Sequence, residues 1–339
     1  MSEFVFLVCS ERSGSNFITS LMNGHKDICG PPPTHLFRLF GTNMERYGNL
    51  AESGNWQQLL ADVSAAFDAI LGVWNTSVSQ EELAAKVTRR SGAALLRYIY
   101  EKEAGLDGAS HIFVKENHTY SFAPFLMAHF PACRFLLSVR DPRDVALSWK
   151  KTPTIPGGVK EAVDTWISDQ SGALSLFGQL SGTKRCKLVR YEDILSNTET
   201  TLTDILQWMG LDFSEGILDF HLDSRTQQNA SRIAAWDNLG AGVLRSNHAK
   251  YLKGLSRDEI YYIELRCRAL MDVFGYAPSD PRSTVDEKGI EGEIKELEAS
   301  FAQCEYVLDP REEAIRQKRL ATIERVLKRR QQCLITPTG

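Results

Sequence analysis

Residues 4–24, FVFLVCSERSGSNFITSLMNG, decide the fold class. The apolar run at residues 4–8 is rich in β-branched and aromatic side chains, which is typical of a buried strand in a parallel sheet. A polar turn at residues 10–16 follows, and apolar residues then recur at helical spacing until Gly24, which is placed to end a helix. Strand, small-residue turn and helix start together predict an α/β protein with a phosphate-binding turn, because a helix N-terminus presents free N–H groups and a positive dipole end.

The polar turn offers further donors for an anion. Gly14 allows the backbone to approach a ligand closely. The side-chain donors in the turn are Arg12, Ser13, Ser15 and Asn16. The turn lacks the GxxxxGK[ST] spacing of a nucleoside-triphosphate P-loop, so any phosphate it holds is bound in another way. An ordinary turn between a strand and a helix is the alternative that this motif alone leaves open.

The composition indicates a globular protein with a full apolar core. The 339 residues, 43% of them hydrophobic, suffice for one large α/β domain or two smaller ones, and the net charge of −4 disfavours a nucleic-acid partner. The first residues do not resemble a signal peptide, and no stretch approaches the ~18 apolar residues that a membrane helix needs. Seven cysteines without CxxC or metal-ligand spacing predict free thiols, so we expect a cytoplasmic protein with no membrane partner.

Three more apolar segments predict strands at residues 111–115, 134–139 and 187–190. Helical spacing of apolar residues predicts helices at residues 55–72, 80–104, 121–130, 159–177, 198–209 and 256–274, whereas residues 25–50 and 224–254 are predicted to be irregular. Alternating strands and helices predict a parallel sheet with right-handed crossovers, whose ligands bind at the carboxyl ends of the strands. Because a polar cluster follows each strand, we expect these clusters to meet at one rim.

The chain is predicted to divide into a main domain, residues 1–282, and a C-terminal helical extension, residues 283–339. In the extension, an apolar stripe at steps of four and three consists of Ile290, Ile294, Leu297, Phe301 and Cys304, and a basic helix follows at about residues 312–332. Packing of this stripe on the body of the same chain is the favoured interpretation. Formation of a homo-oligomer through the C-terminal helices is the alternative.

Three clusters together resemble the sulfotransferases that use 3′-phosphoadenosine 5′-phosphosulfate (PAPS). Residues 11–16, ERSGSN, are similar to the family's 5′-phosphosulfate loop. Residues 138–148, SVRDPRDVALS, resemble its 3′-phosphate segment, in which an Arg at a strand end and a Ser eight residues later correspond to Arg140 and Ser148. Residues 190–195, RYEDIL, are similar to a stretch whose Tyr, here Tyr191, lies near the adenine. The resemblance covers roughly residues 4–275.

This resemblance implies a P-loop-like parallel sheet flanked by helices, and a function in sulfuryl transfer. The implied reaction moves a sulfuryl group from PAPS to a hydroxyl of a small-molecule acceptor, with an amine as second choice and with no metal. Arg12 stands where many cytosolic members carry Lys, and it would stabilise charge because a guanidinium cannot donate its proton near neutral pH. Lys115, at the end of the second long strand, is another candidate to contact the bridging oxygen or the sulfonyl group.

Three residues compete for the role of the base that takes the acceptor's proton. His35 is favoured, since it falls where many bacterial and Golgi-type members carry a Glu after the first helix. His118 is the second candidate, since residues 114–118 resemble a Lys-Thr-His stretch of cytosolic members but are one residue longer. Glu116 is the third. An imidazole with an unperturbed pKa near 6.5 suits the role, and geometry must decide.

A basic lid is expected in the late loop, where the family closes over the nucleotide. Arg245 is the first choice for it, with Lys250 and Lys253 as further candidates, and a solvated positive stretch is the alternative. The aromatic residues that either line an acceptor pocket or form the core are Phe37, Phe40, Trp56, Phe67 and Trp74. Two other functions remain open, a P-loop-like small-molecule kinase and a non-catalytic nucleotide-binding protein.

Overall fold

The computed structural model describes residues 2–152, 155, 157–284, 291–301 and 309–329. Its centre is a parallel sheet of five strands in the order β2-β3-β1-β4-β5. The strands are β1 (Glu3–Val8), β2 (Ile28–Cys29), β3 (His111–Lys115), β4 (Arg134–Val139) and β5 (Cys186–Arg190). Every pair of neighbours is parallel, so the carboxyl ends of all strands lie on one edge. The predicted α/β fold with helices around a parallel sheet is confirmed.

Helices cover both faces of this sheet. In the described residues they are α1 (Ser15–Asn23), α2 (Leu36–Gly41), α3 (Ser53–Phe67), α4 (Gln80–Lys86), α5 (Gly92–Asp107), α6 (Ala123–His129), α7 (Pro142–Lys150), α8 (Gly158–Leu180), α9 (Tyr191–Ser196), α10 (Thr198–Met209), α11 (Ser224–Arg232), α12 (Tyr251–Gly254), α13 (Arg257–Phe274), α14 (Glu291–Ser300) and α15 (Pro310–Lys328). Short 3-10 segments include Thr119–Phe122 and Ala234–Ala241.

The central strand β1 is buried on both sides, as its unbroken apolar run predicts. Phe4 and Phe6 point into a core formed with α2, α3 and α5, whereas Val5 and Leu7 point into a second core formed with α1 and α10. A third apolar cluster lies where α7, α8 and α13 meet. Because β1 is fixed from both faces, the polar turn at its end starts from a rigid base.

Three segments differ from the sequence-based expectation. Residues 25–50 are not all irregular, because Ile28–Cys29 pair with β3 as a strand too short to show periodicity, and α2 follows. The helix predicted at residues 80–104 is interrupted, because the Ser91 hydroxyl accepts from the Ala94 N–H and thereby starts α5 as a separate helix. Residues 224–254 contain α11 and α12, which lack an apolar stripe.

Both C-terminal helices pack on the body of the same chain. Ile294 and Leu297 of α14 and Phe301 just after it pack on the third cluster, with the ring centres of Phe301 and Tyr262 5.1 Å apart. In α15, Val326 is fully buried in the first core. The favoured interpretation of the apolar stripe therefore holds for these residues, while Ile290 and Cys304 lie outside the described residues. The boundary at residue 282 and self-association stay predictions.

Ion pairs hold the end of α15 to the body of the chain. Arg325 and Arg329 of the α15 end donate to the buried Asp62 of α3 at 2.7 and 2.8 Å. The cysteines within the described residues are free, whereas Cys304 and Cys333 lie outside them. Over the described ranges, no helix combines the length and apolar character needed to cross a membrane.

Candidate active site

A cavity of about 1080 Å³ opens at the carboxyl edge of the sheet. Most of the predicted site residues line it, namely Arg12, Gly14, Ser15, Asn16, His35, Lys115, Arg140, Ser148 and Tyr191. They come from the segments after β1, β2 and β4, from the end of β3, and from α1, α7 and α9. Ser13, Glu116, His118 and Arg245 are not among its lining residues. Eight lining residues are Arg or Lys and four are Asp or Glu, so the cavity is positive although the chain is negative.

The first side of the cavity, here the arginine side, consists of Arg12, Gly14, Arg140, Ser148 and Tyr191. Arg12 has a φ of 63°, a backbone region that a non-glycine residue rarely adopts, and its Nε donates to Ser148 Oγ at 3.2 Å. Arg140 Nη1 donates to the Arg12 carbonyl at 3.1 Å. The turn after β1 and the turn after β4 therefore hold two guanidinium groups in one cleft.

The ring of Tyr191 packs against both turns of the arginine side. Gly14 has a φ of +79°, and a Cβ built there would lie 2.3 Å from Tyr191 Cε2, so only glycine lets the ring pack against the turn. The Arg140 guanidinium lies 4.5 Å above the centre of the Tyr191 ring. Asn247 ties the late loop to both, since its Nδ2 donates to Tyr191 Oη at 2.8 Å and its carbonyl accepts from Arg140 Nη2 at 3.1 Å.

Several buried polar atoms on this side lack a partner. Ser13 Oγ, Asn16 Oδ1 and Arg140 Nε make no hydrogen bond to a described residue. Neither Arg12 nor Arg140 forms an ion pair in the described part of the chain. Burial, and next the charge of Arg140, lower the pKa of Arg12 from its usual value. A multiply charged anion would accept from the Ser13 hydroxyl and from Arg140 Nε, whereas the Asn16 amide oxygen needs a donor, so the two donors fit a phosphate-bearing ligand.

Arg140 forms no ion pair with its neighbour Asp141. Asp141 pairs instead with Arg143 at 2.7 Å, and Arg143 also contacts Glu264 at 2.6 Å. Trp166 Nε1 donates to the Arg140 carbonyl at 3.0 Å and fixes that residue from behind. Arg143 thus takes up the neighbouring carboxylate, which leaves the Arg140 guanidinium directed at the cleft.

The second side, here the histidine side, consists of His35, Arg38, Lys115 and Arg319 on the cavity wall, together with Glu116, which is buried next to His35. His35 has a φ of 59°, and its Nδ1 lies 3.7 Å from Glu116 Oε2. Burial, and next the positive charge of Arg319, lower the pKa of His35 well below 6.5, so the imidazole is neutral at pH 7. Burial raises the pKa of the fully enclosed Glu116 to about 7.

The partners of Glu116 explain why its carboxylate is poorly stabilised. Its hydrogen bonds from the Thr34 hydroxyl, the Tyr100 hydroxyl and the Arg38 N–H are all long, at 3.4 to 3.5 Å. Lys115 is buried beside it, and burial lowers the pKa of that ammonium group. Lys115 Nζ donates to Asn117 Oδ1 at 2.8 Å and remains on the cavity wall.

His118 is held away from the cavity wall. It also has a positive φ, 55°, and its Nδ1 lies 2.8 Å from Asp169 Oδ1. The other carboxylate oxygen of Asp169 accepts from the Ser10 hydroxyl at 2.8 Å. Of the three candidates for the base, His35 alone lines the cavity, which favours it on geometry while the role itself stays a prediction.

The late loop approaches the arginine side through residues other than the first choice. Arg245 is exposed and the structure does not bring it to the cavity, whereas Lys250 lines the wall. Lys253 is exposed as well, away from the lining. Asp144 of α7 holds the loop, since its carboxylate accepts from the N–H groups of Ala249 and Tyr251 at 2.6 and 3.0 Å. Asp144 was visible in the sequence only as part of the SVRDPRDVALS segment.

Helix α15 forms a wall that the sequence did not predict. Its lining residues are Glu313, Arg316, Gln317, Arg319, Leu320 and Ile323. The aromatic residues considered for this role are core instead, because Phe37, Phe40, Trp56 and Phe67 are at most 4% exposed and Trp74 packs against them. No signal in the sequence linked α15 to the cavity, because only the tertiary fold brings it there.

Comparisons with known proteins agree on one family. The model of the sulfotransferase family matches residues 5–215. Carbohydrate sulfotransferase 1 of Danio rerio is 25% identical over 158 residues, which are 41% of this chain and 37% of that protein. The chain therefore spans little more than a third of the length of this curated relative.

Solved structures show the same fold. The sulfotransferase domain from the curacin biosynthetic pathway aligns over 82% of this chain and 99% of its own, with a TM-score of 0.57 and 16% identity. At this identity the likeness concerns the fold alone. Mouse sulfotransferase SULT7A1, complexed with PAP, aligns over 88% of this chain and 89% of its own at a TM-score of 0.44 and 13% identity, which is too low to support an argument.

Proposed function

The chain belongs to the sulfotransferase family, and on that premise we propose that it transfers a sulfuryl group from PAPS to a hydroxyl of a small-molecule acceptor. One observation carries the proposal. Arg12 and Arg140, from the turns after neighbouring strands, face one cleft without a carboxylate partner among the described residues. Two uncompensated guanidinium groups in a buried site favour a ligand with several negative charges.

The arginine side would hold the donor. The N–H groups at the start of α1, with Ser13 and Arg12, suit the phosphosulfate end, because a helix N-terminus and a guanidinium both favour an anion. Arg140 and Ser148 suit the 3′-phosphate, and Tyr191 offers a ring to the adenosine part. These assignments follow the family resemblance together with the unpaired atoms of Ser13 and Arg140.

The histidine side would activate the acceptor. Bound PAPS supplies a sulfuryl group whose sulfur exchanges its bridging phosphate oxygen for the acceptor oxygen, giving a sulfate ester and 3′,5′-ADP. His35 takes the hydroxyl proton at Nε2, since its lowered pKa keeps the ring neutral and able to accept. Lys115 and Arg12 stabilise the charge that develops on the leaving oxygen. An amine acceptor is the second choice.

Calorimetry tests the donor half of this proposal. We expect 3′,5′-ADP to bind tightly and ATP with Mg²⁺ to bind weakly or not at all. Arg140→Met should weaken 3′,5′-ADP about a hundredfold, since a hydrogen bond to a charged group contributes about 1.5–3 kcal/mol and Arg140 offers several. Arg89→Met, at an exposed arginine outside the cavity, is the matched control and should leave the affinity unchanged.

The reverse preference would overturn the proposal in favour of a P-loop-like kinase, and binding of 3′,5′-ADP without any transfer of label from PAPS would favour a non-catalytic nucleotide-binding protein. Transfer of label from PAPS to acceptors in EDTA tests the expectation that no metal is required. Over the described residues, no group of three or more His, Cys, Asp and Glu could hold a metal ion. A cytoplasmic location and the small size of the acceptor belong to the same proposal.

A further inference from the structure

Arg319 on α15 is a cavity-lining guanidinium without a fixed partner. It forms no hydrogen bond and no ion pair with another described residue, in contrast to Arg316 one turn earlier, which contacts Glu312 at 2.6 Å. Arg38 of α2 lines the same wall, and its guanidinium is equally without a partner in the described chain. Two guanidinium groups therefore stand free on the histidine side, next to the group proposed as the base.

The carboxylates near this pair do not neutralise it. Glu11 accepts a hydrogen bond from the Asn117 amide. Glu313 accepts from Gln317 at 3.3 Å on the same helix. Glu116 is enclosed, and burial raises its pKa to about 7, so it carries only part of a negative charge at neutral pH. The cationic side chains on this wall, Arg38, Lys115, Arg316 and Arg319, outnumber the lining carboxylates Glu11 and Glu313, so the charge balance is positive even without the arginine side.

Apolar side chains lie beside the two guanidinium groups. Leu320 and Ile323 of α15 and Leu71 line the wall, and Leu320 is 51% exposed, so an aliphatic segment of a ligand would find apolar surface there. Since Arg319 and Ile323 are one turn apart on α15 and line the same wall, one ligand can contact both a cation and an aliphatic patch. A neutral, purely polar acceptor would leave both features unused.

We propose that the acceptor carries an anionic group, a carboxylate or a phosphate, that binds between Arg38 and Arg319, with an aliphatic segment against Leu320 and Ile323. This inference rests on the proposed function, since it places the reacting hydroxyl at His35. The anion would also offset the positive charge that Arg319 places beside His35, which makes the imidazole a better base once the acceptor is bound. Helix α15 thereby belongs to the acceptor site.

The test uses octanoate, octyl phosphate and octanamide as probes, titrated by calorimetry into the full chain saturated with 3′,5′-ADP. Saturation keeps the anionic probes away from Arg12 and Arg140. We expect octanoate or octyl phosphate to bind at least about tenfold more tightly than octanamide, because a charge-assisted hydrogen bond is stronger than a neutral one. The tighter of the two anions identifies the group.

Variants locate the effect. Arg319→Met should abolish the preference for the anion while the affinity for 3′,5′-ADP stays that of the wild type, which also shows that the variant is folded. Arg38→Met should reduce the preference in the same direction. Lys318→Met is the matched control, because Lys318 is the exposed neighbour on α15 outside the cavity, and it should retain the preference.

Two failures can be told apart. If 3′,5′-ADP binds but octanamide matches both anions, or if Arg319→Met keeps the preference, the anionic acceptor is wrong and the proposed function stands. If the wild type does not bind 3′,5′-ADP, the proposed function fails and this inference fails with it.

Discussion

The arginine side of the cavity takes its two arginines from turns that directly follow β1 and β4, whereas the histidine side gathers His35, Glu116 and Arg319 from distant parts of the chain. On the arginine side, Arg140 Nη1 and the Arg12 carbonyl are joined by a 3.1 Å hydrogen bond across two adjacent strands. On the histidine side, the groups come from the α2 entry, the end of β3 and α15.

The arginine side is determined by the topology of the sheet, whereas the histidine side is determined by how side chains and helices pack. A parallel sheet brings its carboxyl ends together whatever the rest of the chain does, so the arginine side follows from the strands. The histidine side depends on the positive φ of His35 and on helix α15 staying docked through Asp62. We therefore expect the effects of substitutions to be harder to predict on the histidine side than on the arginine side. Three substitutions test this difference, from the largest expected effect to the smallest.

The largest effect is expected from His35→Gln. Loss of a positioned base should lower kcat by about 10²- to 10⁴-fold with PAPS saturating, while the affinity for 3′,5′-ADP stays unchanged because the arginine side is intact. Turnover with labelled PAPS and calorimetry with 3′,5′-ADP measure the two quantities.

His118→Gln is the decisive comparison. His118 contacts Asp169 and does not line the cavity, so its loss should affect kcat much less. A larger loss of kcat in His118→Gln than in His35→Gln would move the base to His118. A loss below about tenfold in both would remove both histidines from the role.

The strands and the arginine side were predictable because their signals are local. A run such as FVFLV and a turn such as SERSGSN lie within a few residues, and topology does the rest. Asn247 could not be assigned in advance, because its contacts with Arg140 and Tyr191 depend on how the late loop is held by Asp144. The strand Ile28–Cys29 was missed because two residues show no period.

The histidine side was predictable only in part. His35 could be named from its place after the first helix, but its pairing with Glu116 depends on how α2 docks at the end of β3. Arg319 could not be named at all, because nothing in a basic helix indicates which cation points into a cavity whose lining residues outside that helix lie between residues 11 and 250. The sequence could not decide whether the aromatic residues line the pocket or form the core, since both environments contain the same types of side chain.

A smaller effect is expected from Glu116→Gln, and its sign depends on pH. Burial raises the folded-state pKa of Glu116 from 4.5 to about 7, so the charged form is disfavoured by folding and stability falls as pH rises from 4.5 to 7. The variant removes that penalty. Its free energy of unfolding at pH 8 should exceed that of the wild type by up to about 3 kcal/mol, and the difference should vanish near pH 4.

Two measurements sharpen this result. Denaturant unfolding across pH 4–8 gives the stability difference, and Glu103→Gln provides the contrast, because Glu103 is equally buried but pairs with Arg225 at 2.8 Å. That variant should be destabilised at pH 8, since it leaves a buried guanidinium unpaired.

For activity, kcat/KM of the wild type should rise between pH 6 and 8 and be flat in Glu116→Gln, because neutral His35 does not titrate there. An equal rise in both proteins would exclude Glu116 as the group that titrates.

The smallest effect is expected from Gly14→Ala, which tests how rigid the arginine side is. The added Cβ would lie 2.3 Å from Tyr191 Cε2, and the φ of +79° is unfavourable for alanine. Left-handed backbone in a non-glycine residue costs about 1–2 kcal/mol, and the ring must also move away from the turn. We expect 3′,5′-ADP to bind about tenfold more weakly, a change of about 1.4 kcal/mol, because Tyr191 would no longer hold its place under Arg140.

Gly108→Ala separates backbone strain from the displacement of Tyr191. Gly108 has a φ of +68° and open space around its Cα, so alanine there meets the same strain without a collision. Both variants should lose about 1 kcal/mol of stability or more, but only Gly14→Ala should lose affinity for 3′,5′-ADP. If Gly14→Ala binds the nucleotide as well as Gly108→Ala does, the ring adapts at no cost to binding. The arginine side would then be as adjustable as the histidine side, contrary to the difference argued from the sheet.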